Sequence, residues 1–106
     1  MVRRGEVWLV ALDPTVGREI KKTRPAVVVS PDELNEFLDT AIVSPMTSGS
    51  SPAPFRVPIA FENKPGLILV EQLRAVDKQR LVRRVGRISG RALVETLRVL
   101  QEMFAE

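Results

Sequence analysis

Arg24 is the residue whose type and setting point most directly to chemistry. It ends a polar, basic stretch and is followed at once by Pro25 and the apolar run 26–29. Proline is tolerated at the first position of a strand, and a β-branched run predicts a strand buried on both faces. An arginine at that entrance is anchored beside the core, yet its planar fork of donors can reach two phosphate oxygens. The alternative interpretation is a solvated charge at the start of a strand.

The composition excludes most of the familiar catalytic centres. The 106 residues include no histidine, cysteine or tyrosine. Metal sites of the His/Cys type, Ser–His–Asp and Cys–His arrangements, and nucleases that pass a proton between two histidines are therefore excluded. Disulfide bonds are excluded as well. Any catalysis must come from Arg, Lys, Asp, Glu, Ser or Thr, and we expect no cofactor.

Positive charge is concentrated in two separate segments of the chain. The net charge is +3, from 16 basic and 13 acidic residues. Residues 1–30 carry six basic and three acidic side chains, and residues 64–91 carry eight basic and two acidic ones. A fold that brings the two segments together would present a surface for a polyanion. The alternative is that each run is simply solvated.

The length predicts one domain, residues 1–106, with a small core. No apolar run approaches the roughly 20 residues of a membrane span. The basic start, Met1-Val2-Arg3-Arg4-Gly5, is not followed by the apolar stretch of a secretory signal. We therefore expect a cytoplasmic protein without a membrane partner.

The elements that must position Arg24 are short strands. Those predicted are Glu6–Leu12, Pro25–Val29, Thr40–Pro45, Phe55–Ile59, Leu67–Val70 and Arg83–Ile88. The fourth contains a proline and should be an edge strand. Residues 64–66 predict a turn. The polar connection between the first two strands, about ten residues long, is typical of a functional lid.

Two helices complete the predicted fold. Ser30 should cap a short helix with Glu33 in a capping box, and Ser89 should cap a helix ending near Phe104. The last helix has an apolar stripe that we expect to contact the core or a second subunit. The stripe comprises Leu93, Leu97, Leu100 and Phe104. Together the elements predict an α+β, mostly β fold, a small SH3-like antiparallel barrel with a short helix after the second strand and a C-terminal helix.

Five segments, taken in order, resemble the MazF family of toxin endoribonucleases. They are Arg4-Gly5-Glu6-Val7-Trp8, Asp13-Pro14-Thr15-Val16-Gly17 with Glu19, Arg24-Pro25-Ala26-Val27-Val28-Val29, Pro45-Met46-Thr47-Ser48 and the run Glu71-Gln72-Leu73-Arg74 through Leu81. Each is weak alone, but the ordered set covers nearly the whole chain. Two positions depart from common patterns: Arg18 stands where many members have Ser, and Glu71-Gln72 where one branch has Asp-Gln.

The resemblance implies the toxin of a toxin–antitoxin pair, an endoribonuclease that cuts single-stranded RNA without a metal. The 2′-OH attacks the adjacent phosphorus and leaves a 2′,3′-cyclic phosphate and a 5′-OH. Arg24 and Thr47 are implied as the catalytic donors. The residues implied in RNA binding are Gly17, Glu19, Lys21, Ser48, Glu71, Gln72 and Arg74.

Two roles have competing interpretations. Glu19 is the preferred base for the 2′-OH proton, ahead of Glu71, although the bound phosphate alone could suffice. The alternative for Thr47 is a hydroxyl that bonds its own backbone at the end of a strand.

The resemblance also implies partners. Members are homodimers, which fits an apolar stripe on the last helix, and they are held in check by acidic, partly disordered antitoxins. A basic face is a suitable surface for such an antitoxin.

Two further functions compatible with such a barrel stay open. One is a non-catalytic poison of the gyrase-trapping (CcdB) type, whose action depends on a Trp-Gly-Ile end. This chain finishes Met103-Phe104-Ala105-Glu106, which disfavours that function. The other is an RNA-binding barrel without activity.

Overall fold

The computed structural model describes residues 1–106, most of which lie in seven strands and two helices. The strands are β1 (Glu6–Ala11), β2 (Thr23–Val28), β3 (Thr40–Thr47), β4 (Arg56–Phe61), β5 (Lys64–Leu69), β6 (Arg74–Asp77) and β7 (Leu81–Arg87). The helices are α1 (Asp32–Phe37) and α2 (Gly90–Phe104). Single 3-10 turns at Val70–Gln72 and Lys78–Arg80 flank β6. β6 was not among the predicted strands.

All strand pairs are antiparallel, and the sheet runs in the order β4-β5-β3-β2-β1-β7. β3 holds the sheet together, because one of its edges pairs with β2 and the other pairs with β6 and then β5. β4 pairs only with β5, in agreement with the edge strand predicted from its proline. The mostly β, antiparallel fold with a short and a C-terminal helix is confirmed, whereas closure into an SH3-like barrel stays a prediction.

Because side chains alternate across a strand, each face of the sheet has its own apolar cluster. One cluster packs under α2 and consists of Val7, Val27, Val29, Met46, Val57, Ile68, Val70, Ile88 and Val99. The other consists of Val10, Leu12, Ala26, Val28, Val43 and Val76. We call the side of the sheet that carries this second cluster the Val43 face.

The start of α1 differs from the prediction. Its N-cap position is Pro31, with no side-chain cap, and Ser30 is buried instead. The Ser30 hydroxyl accepts a hydrogen bond from the backbone N–H of Ile42 at 3.0 Å and donates to the side chain of Asn35. Buried hydroxyls are almost always hydrogen-bonded. The partner here is the backbone N–H of Ile42 on β3, which is 12 residues away and therefore not predictable from the local sequence.

The apolar stripe of α2 is confirmed in part, since Leu93 and Leu100 pack against the core cluster. Thr96 and Val99 are the buried positions, whereas Phe104 is 71% exposed. Thr96 tolerates burial because its hydroxyl donates to the carbonyl of Ala92 at 2.8 Å. The predicted cap is confirmed, since the Ser89 hydroxyl accepts from the Ala92 N–H at 3.1 Å.

The β4–β5 turn lies two residues earlier than predicted. Glu62 and Asn63 form it with φ of 52° and 62°, and Lys64 already belongs to β5. Positive φ at both central residues is the geometry of a tight hairpin turn. The Pro-Gly pair that predicted a turn at 65–66 sits inside the strand.

Neither helix has the length and hydrophobicity that crossing a membrane requires.

Candidate functional site

Arg24 and Thr47 each lie two residues beyond the last bridged pair of β2 and β3, at the same end of the sheet. β2 and β3 pair with Ala26 opposite Pro45 and Val28 opposite Val43. The same register, continued two residues past the last bridged pair, sets Arg24 opposite Thr47. Residues opposite each other on antiparallel strands share a face, with Cβ atoms about 4.5–5.5 Å apart. Both side chains therefore leave the sheet on the Val43 face.

The Arg24 side chain is exposed and only partly engaged. Its Nε donates to the carbonyl of Lys21 at 3.2 Å, which fixes the direction of the side chain near the strand. The two terminal nitrogens have no partner within the chain. Their donors are available for an external anion.

The Thr47 hydroxyl is half-buried at the last residue of β3. It accepts a hydrogen bond from the Gly49 N–H at 3.1 Å, so the self-bonding geometry considered for this residue is present. That bond uses the oxygen as an acceptor and leaves the hydroxyl proton free to donate. The local bond orients the hydroxyl without consuming its donor.

A concave site of about 390 Å³ opens beside this pair. Its lining comprises Glu19, Ile20, Pro45, Glu71, Gln72, Leu73 and Arg74. Pro45 lies two residues before Thr47 on the same face of β3. Arg74, on β6, pairs with Val43 of β3. The fold thus brings four of the predicted RNA-binding residues together in one site, whose lining includes neither Arg24 nor Thr47.

The loop between β1 and β2 is tied to this site along its length. The Ile20 N–H donates to Oε1 of Gln72 at 2.8 Å. At the stem, Arg74 donates to the Leu12 carbonyl at 3.1 Å. Arg80 donates to the carbonyls of Ala11 and Asp13 at 2.9 and 2.7 Å. Gln72 and Arg74 therefore hold the loop as well as lining the site.

Arg80 was not singled out as a site residue from the sequence. Its position in the run 71–81 and its charge were visible, but its two carbonyl acceptors lie 67 and 69 residues away along the chain. Only the tertiary fold makes that contact.

The two candidate bases differ in their surroundings. The Glu19 carboxylate accepts the Val16 N–H through Oε1 within the loop, so its second oxygen has no partner in the chain. Glu71 instead forms an ion pair, accepting from Nε and Nη2 of Arg56 at 3.0 and 2.7 Å. Both bonds from Arg56 fall on Oε2 of Glu71, so an ion pair fixes this carboxylate, whereas Glu19 is held only within its own loop. Glu19 stays the preferred base and Glu71 the alternative.

The other predicted binding residues lie around the rim. Gly17 and Lys21 are exposed on the β1–β2 loop, with Gly17 at φ 57°. Ser48 is exposed and lines a second cavity of about 160 Å³ together with Thr47, Pro25 and Met46. None of Gly17, Lys21 and Ser48 lines the larger concave site.

The pairing of β1 with β7 brings the two basic segments side by side. Arg83 lies opposite Leu9, and Arg84 opposite Trp8. Arg84 donates to the buried carboxylate of Glu6 at 3.0 Å. The backbones of the two segments are therefore neighbours, and part of the charge of β7 is neutralised by Glu6, whereas a shared basic surface stays a prediction.

The Glu6 carboxyl is the buried ionised group of this region. Burial alone raises its pKa. Hydrogen bonds from the Arg3 N–H, the Trp8 indole and Arg84, together with the Arg84 charge, lower the pKa by more than burial raises it. The net pKa lies below the usual value, so Glu6 is charged at neutral pH and ties the chain start to β7.

The chain was compared with protein families and with known relatives. The family of PemK-like, MazF-like toxins of type II toxin–antitoxin systems matches residues 3–104. The endoribonuclease MazF of Staphylococcus epidermidis is 34% identical over 101 residues, covering 90% of this chain and 84% of the relative. The endoribonuclease MazF9 of Mycobacterium tuberculosis is 38% identical over 106 residues, covering 90% and 89%.

Solved structures share the fold. MazF from Deinococcus radiodurans superimposes with a TM-score of 0.85 at 24% identity, covering 96% of this chain and 94% of that one. A mycobacterial endoribonuclease in complex with its cognate antitoxin gives 0.80 at 16% identity, covering 96% and 93%. With the match over residues 3–104 and relatives above 30% identity, the chain belongs to the PemK-like, MazF-like family of toxins of type II toxin–antitoxin systems.

Proposed function

We propose that this chain is an endoribonuclease toxin, a single domain over residues 1–106, which cleaves single-stranded RNA between the tips of β2 and β3. The proposal is supported by the β2–β3 register, which, if extended two residues past Ala26 and Pro45, sets Arg24 opposite Thr47, and by the concave site lined by Glu19, Gln72 and Arg74. The relatives named as endoribonucleases support the reaction class.

The reaction is a transesterification within the substrate. The ribose 2′-OH attacks the adjacent phosphorus, its proton passes to a base, and the 5′-oxygen leaves and takes up a proton. The products are a 2′,3′-cyclic phosphate and a 5′-OH. The nucleophile belongs to the RNA, so the chain has to supply charge stabilisation, orientation and proton transfer.

Arg24 and Thr47 supply the charge stabilisation. The terminal nitrogens of Arg24 match two oxygens of the phosphorane, and the Thr47 hydroxyl donates to a third. A preorganised donor aimed at developing charge lowers the activation barrier by about 3–4 kcal/mol. The free oxygen of Glu19 is the proposed acceptor for the 2′-OH proton, because its other oxygen already fixes the loop.

The surroundings of the pair bind the flanking nucleotides. The side-chain N–H groups of Gln72 make no hydrogen bond within the chain, because its contact to Ile20 uses Oε1. Arg74 uses only Nη1 in its bond to Leu12, so its other N–H donors are available to RNA. Lys21, Gly17 and Ser48 lie at the rim, where RNA backbone would pass. Sequence-specific recognition of RNA uses splayed single-stranded bases, which a concave site flanked by loops can accept.

The partners are an acidic antitoxin and a second copy of the chain. Solved relatives include MazE–MazF complexes of Deinococcus radiodurans, and we extend that pairing to this chain. The outward side of α2, with Val94 69% and Phe104 71% exposed, is the proposed homodimer contact. The site of action is the cytoplasm, where a growth-regulating toxin meets mRNA.

The test is cleavage of an end-labelled single-stranded RNA in EDTA. Arg24→Ala and Thr47→Ala should each lower the rate by about 10²–10³-fold with unchanged circular dichroism. Arg3→Ala, which removes an exposed ion pair with Asp32, and Thr40→Ala, at the far end of β3, are the matched controls. A 2′-deoxy substitution at the cut position should block cleavage.

Three outcomes contradict the proposal. Wild-type rates from both site variants would remove the site assignment. Cutting of the 2′-deoxy substrate would rule out the cyclic-phosphate route. Tight RNA binding without any cleavage would identify a non-catalytic RNA-binding protein instead.

A further inference from the structure

The segment between β3 and β4, residues 48–55, begins directly after Thr47. Its first turn is formed by the bond from the Gly49 N–H to the Thr47 hydroxyl. The position of this loop therefore bears on the orientation of the Thr47 side chain.

Arg56, the first residue of β4, holds the far end of that loop. Its Nη1 donates to the Ser51 carbonyl at 3.0 Å, and its backbone N–H donates to the Ala53 carbonyl at 3.1 Å. The other side of the same guanidinium donates twice to Glu71, through Nε at 3.0 Å and Nη2 at 2.7 Å. The Arg56 side chain is only 22% exposed, so it is largely shielded from water.

Glu71 stands next to Gln72, whose Oε1 receives the Ile20 N–H of the other loop. The dipeptide Glu71-Gln72 thus ties both loops that border the site. Gln72 holds the β1–β2 loop directly, and Glu71 holds the β3–β4 loop through Arg56.

We propose that Arg56 and Glu71 are positioning residues that fix the loop after Thr47 and thereby aim the Thr47 hydroxyl at the phosphate. The inference rests on the proposed ribonuclease function. It gives Oε2 of Glu71 a structural role, because that oxygen receives both hydrogen bonds from Arg56.

A double-mutant cycle with Arg56→Ala, Glu71→Ala and the double variant tests this. Each single variant should lower kcat about 10- to 100-fold, since a misplacement of about 1 Å at a reacting group costs up to 10²-fold, while KM changes less than about threefold. The double variant should lose no more than the worse single variant, because the two residues act through one contact. An independent role of Glu71 as base or RNA ligand predicts additive losses and overturns the proposal.

Glu71→Gln provides the conservative rescue. The amide oxygen still accepts from Arg56 but cannot take a proton at neutral pH, so this variant should keep at least about a third of the wild-type kcat. A loss as deep as that of Glu71→Ala would identify the carboxylate as a base and overturn the inference. Arg3→Ala, which breaks a more exposed ion pair with Asp32, is the control for the loss of an arginine.

Hydrogen exchange separates this inference from the proposed function. Both alanine variants should raise exchange at residues 48–55 with the sheet amides unchanged, whether or not RNA is cut. If the wild type cuts no RNA, the proposed function fails while the exchange result still decides the loop contact. If exchange in the loop is unaltered in both variants, the positioning role is refuted.

Discussion

Gly66→Ala should impair the candidate site from a neighbouring strand. A Cβ built on Gly66 lies 3.0 Å from the carbonyl oxygen of Thr47 and 3.5 Å from its carbonyl carbon. The obstacle is backbone in the β3–β5 ladder, where Thr47 lies opposite Leu67. Accommodation therefore requires the end of β3 to move by a few tenths of an ångström.

The magnitude follows from that displacement. If about 1 Å costs 10²-fold in rate, a few tenths should lower kcat roughly 3- to 10-fold. Overpacking costs about 1–3 kcal/mol, and the reduced freedom of the unfolded chain returns about 0.4–1 kcal/mol. We expect a net loss of about 1 kcal/mol in the free energy of unfolding, which lowers Tm by about 4–8 °C.

The assay is single-turnover cleavage of a labelled RNA well below Tm, with urea unfolding in parallel. Gly86→Ala is the matched control, because its Cβ also meets an atom at 3.0 Å, but that atom is the ring tip of Phe61. A ring can turn aside, so this variant should keep kcat within about twofold. Equal rate losses in both variants, or none in Gly66→Ala, would refute the reasoning that links Thr47 geometry to rate.

Three further predictions concern stability and the loop stem. Because the folded-state pKa of Glu6 is lowered, its stabilising contribution is complete above the unfolded value of about 4.3 and disappears as the pH falls through the folded value. The stability difference between wild type and Glu6→Gln in urea unfolding should therefore narrow from pH 7 towards pH 3, and a constant difference would contradict this. Ile68→Ala removes a side chain with 0% exposure and should cost about 2–5 kcal/mol in the same assay, whereas a loss below 1 kcal/mol would show that the core collapses around the gap. Arg80→Ala frees the carbonyls of Ala11 and Asp13 and should speed hydrogen exchange in the β1–β2 loop roughly tenfold; unchanged exchange would mean that the remaining contacts hold the stem.

The strands around Arg24 were predictable because their signals are local. Pro25 and the β-branched run that follows it predict a strand from a few residues alone. The observed β2 (Thr23–Val28) differs from that prediction only at its ends. The cap of α2 at Ser89 was predictable for the same reason, since a hydroxyl three residues before an N–H acts within one turn.

The errors arose where a distant partner decided the outcome. Ser30 has the local sequence pattern of a helix N-cap, but its hydroxyl accepts a hydrogen bond from the Ile42 N–H of β3 and does not cap the helix. Leu93 and Leu100 of the predicted α2 stripe pack on the core, but Thr96 and Val99 are buried more deeply and Phe104 is exposed. Periodicity shows that a helix has an apolar side, whereas the packing surface decides which residues it buries.

The sequence by itself determined the kind of chemistry open to this protein. Without histidine, cysteine or tyrosine, the chain can offer arginine, carboxylates and hydroxyls, and the ordered segments from Arg4 to Leu81 identify its family. These properties depend on residue type and order, which folding does not change.

The tertiary structure alone decided how those groups meet. The β2–β3 register pairs Ala26 with Pro45, the Arg56 guanidinium binds the Glu71 carboxylate, and Arg80 donates to the Asp13 carbonyl, 67 residues earlier in the chain. Each contact joins residues far apart in the chain, and its energy depends on distances of a few ångströms that only packing fixes.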